Sequence, residues 1–269
     1  MEDRLPLLRE ILAGIGPSVV AFSGGVDSTL LLRVAHDVLG ADVLAVTAVS
    51  PSLAASEREQ TEALARLIGV RHEMVPTHEM LEAGYQANDG RRCYFCKREL
   101  FRVLRQLAPH DGKTLLYGAI TDDLGDNRPG MIAAAEAGAR APLLEAGFDK
   151  EMVRRLSRDL GLPTWDKPAM ACLASRIPVG TRVTEEALRL VEAAEESVRS
   201  LGFRQVRVRL RGQGASVELD PAEIPRALED PLRERIVLAV LGAGFETVAI
   251  DPHGYRKVGL GGSGLPGSR

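Results

Sequence analysis

Apolar and polar positions along the chain alternate between two rhythms. Val19, Val20, Ala21 and Phe22 form a continuous apolar run that stops at Ser23, and the next apolar positions, Leu30, Leu31 and Val34, return at helical spacing. This predicts a short helix over 3–14, a buried strand over 18–22 and a helix over 26–39. The rhythm then repeats. Residues 42–48 are apolar and β-branched, 56–68 have helical spacing with Arg58, Glu59 and Glu62 outward, and 71–76 read as a third strand. Strand and helix in regular alternation predict an α/β fold with a parallel sheet covered on both faces. A helix ending near 107, a fourth strand over 113–118, a fifth over 140–144 and a helix over 149–160 continue the pattern.

The pattern breaks at 161–168, which holds Pro163, Pro168 and the only tryptophan, Trp165. The expected division is a first domain over 1–166, a connecting loop over 167–183, a smaller α/β domain over 184–255 and a Gly- and Ser-rich flexible tail over 256–269. Within the second domain the pattern predicts a helix over 185–201, strands over 205–211 and 215–219, helices over 222–228 and 231–241, and a strand over 246–250. Arg207, Arg209 and Arg211 alternate with Val208 and Leu210, which places three guanidiniums on one strand face. Such a face is either solvated or a clamp for phosphate or carboxylate.

The turn between the first strand and its helix is Ser23-Gly24-Gly25-Val26-Asp27-Ser28. The first N–H groups of a helix have no internal partner and carry the positive end of its dipole, so an anion is favoured there. Gly24 and Gly25 let the backbone approach a phosphate, and Ser23 and Ser28 add hydroxyl donors. The spacing matches neither G-x-x-x-x-G-K-[ST] nor G-x-G-x-x-G. Ligands of parallel sheets bind at the carboxyl ends of strands, so the edge from Thr47 and Ala48 to Pro51 is the expected adenine contact, or else an ordinary loop. After the fourth strand come Gly118, Asp122, Asp123, Asp126 and Arg128, suited to Mg²⁺ and pyrophosphate handling or to a solvated acidic turn. Cys93 and Cys96 lie three apart at a helix start, beside Lys97, and admit a metal or cluster, a redox pair or chance. Cys172, in the connecting loop between Lys167 and Arg176, is either a packed thiol or an activated one.

Composition narrows the classes. With 269 residues and 45% hydrophobic content, the chain can form one large or two ordinary cores. No apolar run reaches the ~20 residues of a membrane span, and the start Met1-Glu2-Asp3-Arg4 lacks the pattern of a signal peptide, so a cytoplasmic location is expected. A formal charge of −3 argues against general nucleic-acid binding. An odd number of cysteines, three, points to metal or reactive chemistry more than to disulfides.

The SGGVDS turn at 23–28 resembles the phosphate loop of the PP-loop ATP pyrophosphatases, which split ATP between its α and β phosphates. Together with RCYFCK at 92–97, the D-x-R-P-G run at 126–130 and KPAMACLASRIP at 167–178, it resembles the LarE-type sulfur transferases of nickel-pincer cofactor biosynthesis. The resemblance implies adenylation of the carboxylates of a pyridinium-3,5-dicarboxylate mononucleotide by ATP, then replacement of oxygen by sulfur. It implies that Cys172 handles sulfur, that Asp27 helps to hold Mg²⁺, and that Ser23, Gly24, Gly25, Val26, Asp27, Ser28, Thr47, Ala48, Gly118, Asp126 and Arg128 bind ATP. Lys97 is expected at a phosphate, and Arg176, Arg207 and Arg209 at the substrate. Family members with one cysteine sacrifice its sulfur; those that also carry C-x-x-C are thought to hold a 4Fe-4S cluster, implying that Cys93, Cys96 and Cys172 are its ligands here. A homo-oligomer and other nickel-pincer biosynthesis enzymes are the implied partners. The rivals are a PP-loop tRNA thiolation enzyme, which needs a basic RNA surface, an ammonia-using synthetase, which needs no cysteines, and a nucleotide sensor without turnover.

Overall fold

The computed structural model describes residues 4–107, 112–124, 129–168 and 171–256. The chain divides into two compact units: residues 1–86 with 91–172, and residues 87–90 with 173–269.

The first unit runs α1 (Leu5–Ile15), β1 (Ser18–Ala21), α2 (Val26–Leu39), β2 (Val43–Val49), α3 (Ala55–Ile68), β3 (Arg71–Pro76), α4 (Ala83–Gln86), α5 (Arg92–Leu107), β4 (Thr114–Leu116), α6 (Pro129–Glu136), α7 (Pro142–Glu145) and α8 (Lys150–Asp159). Its sheet is fully parallel in the order β3-β2-β1-β4, with Val19 opposite Leu44 and Leu115 in the two neighbouring strands. Strand alternation splits the core between the two faces. Val20, Ala45 and Leu116 join Leu8, Leu12, Leu30, Leu31 and Val34 on one side, and Val19, Leu44, Val46 and Leu115 join Leu100, Phe101 and Leu104 on the other. Burying a leucine of this kind stabilises by roughly 1.5–3 kcal/mol. The alternation is therefore what holds helices to both faces.

Local chemistry sets the ends of elements. Gly69, with φ +83°, closes α3 in the left-handed region, and the Asp149 carboxylate accepts the Met152 N–H at 2.8 Å to open α8. The expected fifth strand over 140–144 is not formed. Arg140 makes a single parallel bridge to Leu116, and then Pro142, which has no N–H to give a sheet, starts α7 instead.

The second unit contains α9 (Glu185–Arg199), β5 (Val206–Arg211), β6 (Gly214–Leu219), α10 (Ile224–Ala227), α11 (Leu232–Gly242) and β7 (Thr247–Ile250). β5 pairs antiparallel with β6, and β6 parallel with β7. Residues 87–90 contribute Asn88, whose buried side-chain amide donates to the carbonyls of Pro178 at 2.8 Å and Thr181 at 3.0 Å. Among the described residues, no helix is long and apolar enough to cross a membrane.

Candidate active site

The phosphate loop is built as its sequence requires. Gly24 has φ +68°, and a Cβ there would stand 2.8 Å from Thr61 Cγ2, so only glycine fits without strain. The Ser28 hydroxyl donates to the Gly25 carbonyl at 3.2 Å and accepts the Ser23 N–H at 3.3 Å. The two serine hydroxyls lie 3.1 Å apart. Gly25 caps α2 in extended conformation with no side-chain hydrogen bond, so the first amides of this helix point toward the loop without a capping side chain. Gly118 presses against the same turn: a Cβ would meet Ser28 N at 3.0 Å and the Asp27 carbonyl carbon at 3.2 Å.

Two lysines stand at this loop, and sequence pattern alone did not mark either as a loop residue. Lys150 Nζ donates to both Asp27 carboxylate oxygens at 2.6 Å. Lys167 Nζ donates to the Gly24 carbonyl at 3.0 Å, and its pKa is lowered by burial, with Glu57 acting in the opposite direction. Lys167, which flanks Cys172 in sequence, has its ammonium bound to the phosphate loop. The only sequence signal for Lys150 is its place after the helix-capping Asp149, which is ordinary for a surface lysine.

At the strand ends, the Thr47 hydroxyl donates to the Phe22 carbonyl at 2.8 Å and lies 2.8 Å from His72 Nε2. Thr47 is therefore tied into the sheet through its side chain, and Ala48 follows it, half-buried, at the carboxyl end of β2. Asp126 and Arg128 lie outside the described residues.

None of the three cysteines forms a disulfide. The Cys96 thiol is pushed up to about 12, by burial first; Lys97 opposes this, and Cys172, Glu79 and Cys93 add to it. The Cys96 thiol therefore feels the charges of both other cysteines and of Lys97. The stem of Lys97 lies where a Cβ on Gly130 would meet its Cγ at 3.0 Å. Among the described residues, no group of three or more His, Cys, Asp or Glu converges as metal ligands. As a donor set, three thiols suit iron or a sulfide cluster, and the Asp27 oxygens suit Mg²⁺.

In the second unit the expected arginines are engaged internally. Arg176 is buried against the equally buried Glu195, with Nε and Nη2 donating to its two oxygens at 2.7 and 3.0 Å. Glu195 also accepts from Arg199 at 2.6 Å and from the Val208 N–H at 3.0 Å. Burial alone would raise the Glu195 pKa, but the Arg176 hydrogen bonds and the charges of Arg176, Arg199 and Arg207 hold it below its ordinary value. Arg207 is buried, donates to the Val206 carbonyl at 3.1 Å and faces the Tyr255 ring; Arg209 donates to Glu218 at 2.6 Å and to the Ser175 carbonyl at 3.1 Å. Of the three guanidiniums assigned to one strand face, only Arg211 is fully exposed, so the face is not a uniformly solvated one.

A parallel sheet that delivers a glycine-rich SGGVDS turn to a helix N-terminus, with an aspartate inside the turn, is consistent with the α/β fold of the PP-loop class. No family model matches the chain. It is 38% identical over 240 residues to the pyridinium-3,5-bisthiocarboxylic acid mononucleotide synthase of Lactiplantibacillus plantarum, covering 88% of this chain and 86% of that one. It is 45% identical over 258 residues to an uncharacterised Synechocystis protein, covering 96% of each. A Methanocaldococcus jannaschii protein is 23% identical over 240 residues, covering 89% of this chain and 90% of that one. The chain belongs to the family of the pyridinium-3,5-bisthiocarboxylic acid mononucleotide synthase, the LarE-type sulfur transferases.

Proposed function

We propose that the protein uses ATP to adenylate the carboxylates of a pyridinium-3,5-dicarboxylate mononucleotide and converts them to thiocarboxylates in nickel-pincer cofactor biosynthesis. The observation that carries this reading is the likeness to the synthase over most of both chains, joined to a phosphate loop and Cys172 within one compact unit.

The chemistry follows from the residues. A carboxylate oxygen leaves poorly, so it attacks the α-phosphorus of ATP, pyrophosphate departs and an acyl-adenylate forms. The α2 amides, the Ser23 and Ser28 hydroxyls and the Lys150 and Lys167 ammoniums are the donors for the phosphates. Asp27, paired with Lys150 here, would hold Mg²⁺, which when bound would neutralise charge on the phosphates. A sulfur nucleophile then attacks the acyl carbon, its C–S bond replaces the C–O bond to phosphate, AMP leaves with that electron pair, and the sulfur's proton passes to solvent. Cys93, Cys96 and Cys172 would hold a 4Fe-4S cluster, which when bound supplies the transferable sulfur. A homo-oligomer belongs to the same reading.

Cys172→Ala tests it. Pyrophosphate release from ATP in the presence of the dicarboxylate mononucleotide should persist, while thiocarboxylate formation, followed by mass spectrometry, should be lost. Equal loss of both would remove the sulfur role from Cys172.

A further inference from the structure

A relay of side chains runs from β3 to the entry of the phosphate loop. Ala45 of β2 pairs with His72 of β3, and Thr47 lies two residues further along the same strand face. Thr47, 2% exposed, donates its hydroxyl to the Phe22 carbonyl at 2.8 Å, and His72 Nε2 stands 2.8 Å from the same hydroxyl oxygen. A carbonyl can only accept and a hydroxyl has one proton, so the proton between Thr47 and the ring must come from His72 Nε2–H. The His72 ring also meets the Phe22 ring edge to face, with centroids 5.8 Å apart and planes at 84°. Burial lowers the His72 pKa, with Glu62 opposing, so above neutrality the ring is uncharged and carries its single proton on Nε2. The Phe22 carbonyl shares a planar peptide with the Ser23 N–H, and the two point in opposite directions. Thr47 holds one end of that plane; at the other, the Ser23 N–H donates to the Ser28 hydroxyl at 3.3 Å, which in turn donates to the Gly25 carbonyl at 3.2 Å. Fixing the oxygen therefore fixes where the first amide of the loop points.

We propose that His72 is a positioning residue for the phosphate loop: by donating from Nε2 it aims the Thr47 hydroxyl at the Phe22 carbonyl and so locks the Phe22–Ser23 peptide in the orientation that presents the loop to phosphate. His72 acts through Thr47 and Phe22 rather than on the ligand. Its grip also leaves the Thr47 hydroxyl no proton for adenine. The inference rests on the reading that the SGGVDS turn binds ATP, and it adds a residue of β3 to the support of that turn.

Magnesium pyrophosphate is the probe, because it engages the loop without an adenine. Its affinity for the full-length protein, measured by titration calorimetry well below Tm, should fall about fivefold in His72→Phe and about tenfold in Thr47→Val, the range of one lost hydrogen bond. The first variant keeps an aromatic ring that gives no proton; the second leaves the Phe22 carbonyl unpaired. His72→Gln, whose amide donates, and Thr47→Ser, which keeps the hydroxyl, should stay within about twofold of the wild type. ATP should lose affinity by the same factors. A merely structural role would lower Tm and leave the affinity of the folded protein unchanged. Nitrogen NMR of the wild type at about pH 8 should show the His72 ring protonated on Nε2. Unchanged pyrophosphate affinity in both His72→Phe and Thr47→Val, a loss confined to ATP, or a His72 proton on Nδ1 in place of Nε2 would each overturn the assignment. Should His72→Phe fail to fold, Thr47→Val against Thr47→Ser, read with the ring NMR, decides it. Failure of the nucleotide reading itself would show separately, as no binding of either ATP or pyrophosphate to the wild type.

Discussion

The phosphate loop and the Arg176–Glu195 cluster are both rich in polar groups, yet they are built to opposite ends. In the loop, Ser23 is exposed, the α2 amides have no capping side chain, and Asp27 and Lys150 keep 26% and 36% of their side chains in solvent. Around Glu195, carboxylate and guanidinium are 0% and 1% exposed, and both carboxylate oxygens are satisfied by arginines. The loop's groups keep solvent access and are available for a ligand. The buried cluster ties the turn at 173–176 to α9 and β5.

The contrast is broken most severely at Glu195. Glu195→Ala strands Arg176 in the interior and should cost about 3–5 kcal/mol, read as a lower midpoint in urea unfolding. Because the Glu195 pKa is depressed in the folded state, its contribution is present above its ordinary 4.5 and is lost as pH falls through the lower folded value. Glu195→Gln should therefore flatten the acid limb of stability against pH.

A middle-sized effect is expected at Gly118→Ala. The new methyl meets backbone rather than a movable side chain, so roughly 1–3 kcal/mol is lost and the mouth of α2 is displaced. Calorimetry reads the first effect and slower pyrophosphate release the second.

Asp27→Asn sharpens the comparison from the other side. A partly exposed pair contributes at most about 1 kcal/mol, so Tm should hardly move, while Mg²⁺-dependent pyrophosphate release should fall by about tenfold or more. The smallest change is at the surface pair of Arg33 and Asp37. Arg33→Ala should cost no more than about 0.5 kcal/mol, with no change in turnover.

Elements with a strong internal rhythm were legible from the sequence. The 26–39 helix lies at its expected place because a buried face repeats along it, and the 71–76 strand also lies where it was expected. The 140–144 segment misled because a short apolar run looks the same before a strand and before a proline-started turn of helix. The loop at 23–28 was legible as local chemistry, but its partners Lys150 and Lys167 were not, since they arrive over 123 and 143 residues of chain. The same limit hid Glu195, the buried partner of Arg176.

The backbone passes between the two units three times, after 86, after 90 and after 172. Cys172 is the last residue before one of these passages, and Cys93 is the third residue after another. Successive Cα atoms are only about 3.8 Å apart, so both thiol-bearing segments are on short tethers to the points where the chain changes units. Proteolytic removal of everything beyond 172 would leave 87–90 without the carbonyls that Asn88 holds, and would cut the peptide immediately behind Cys172.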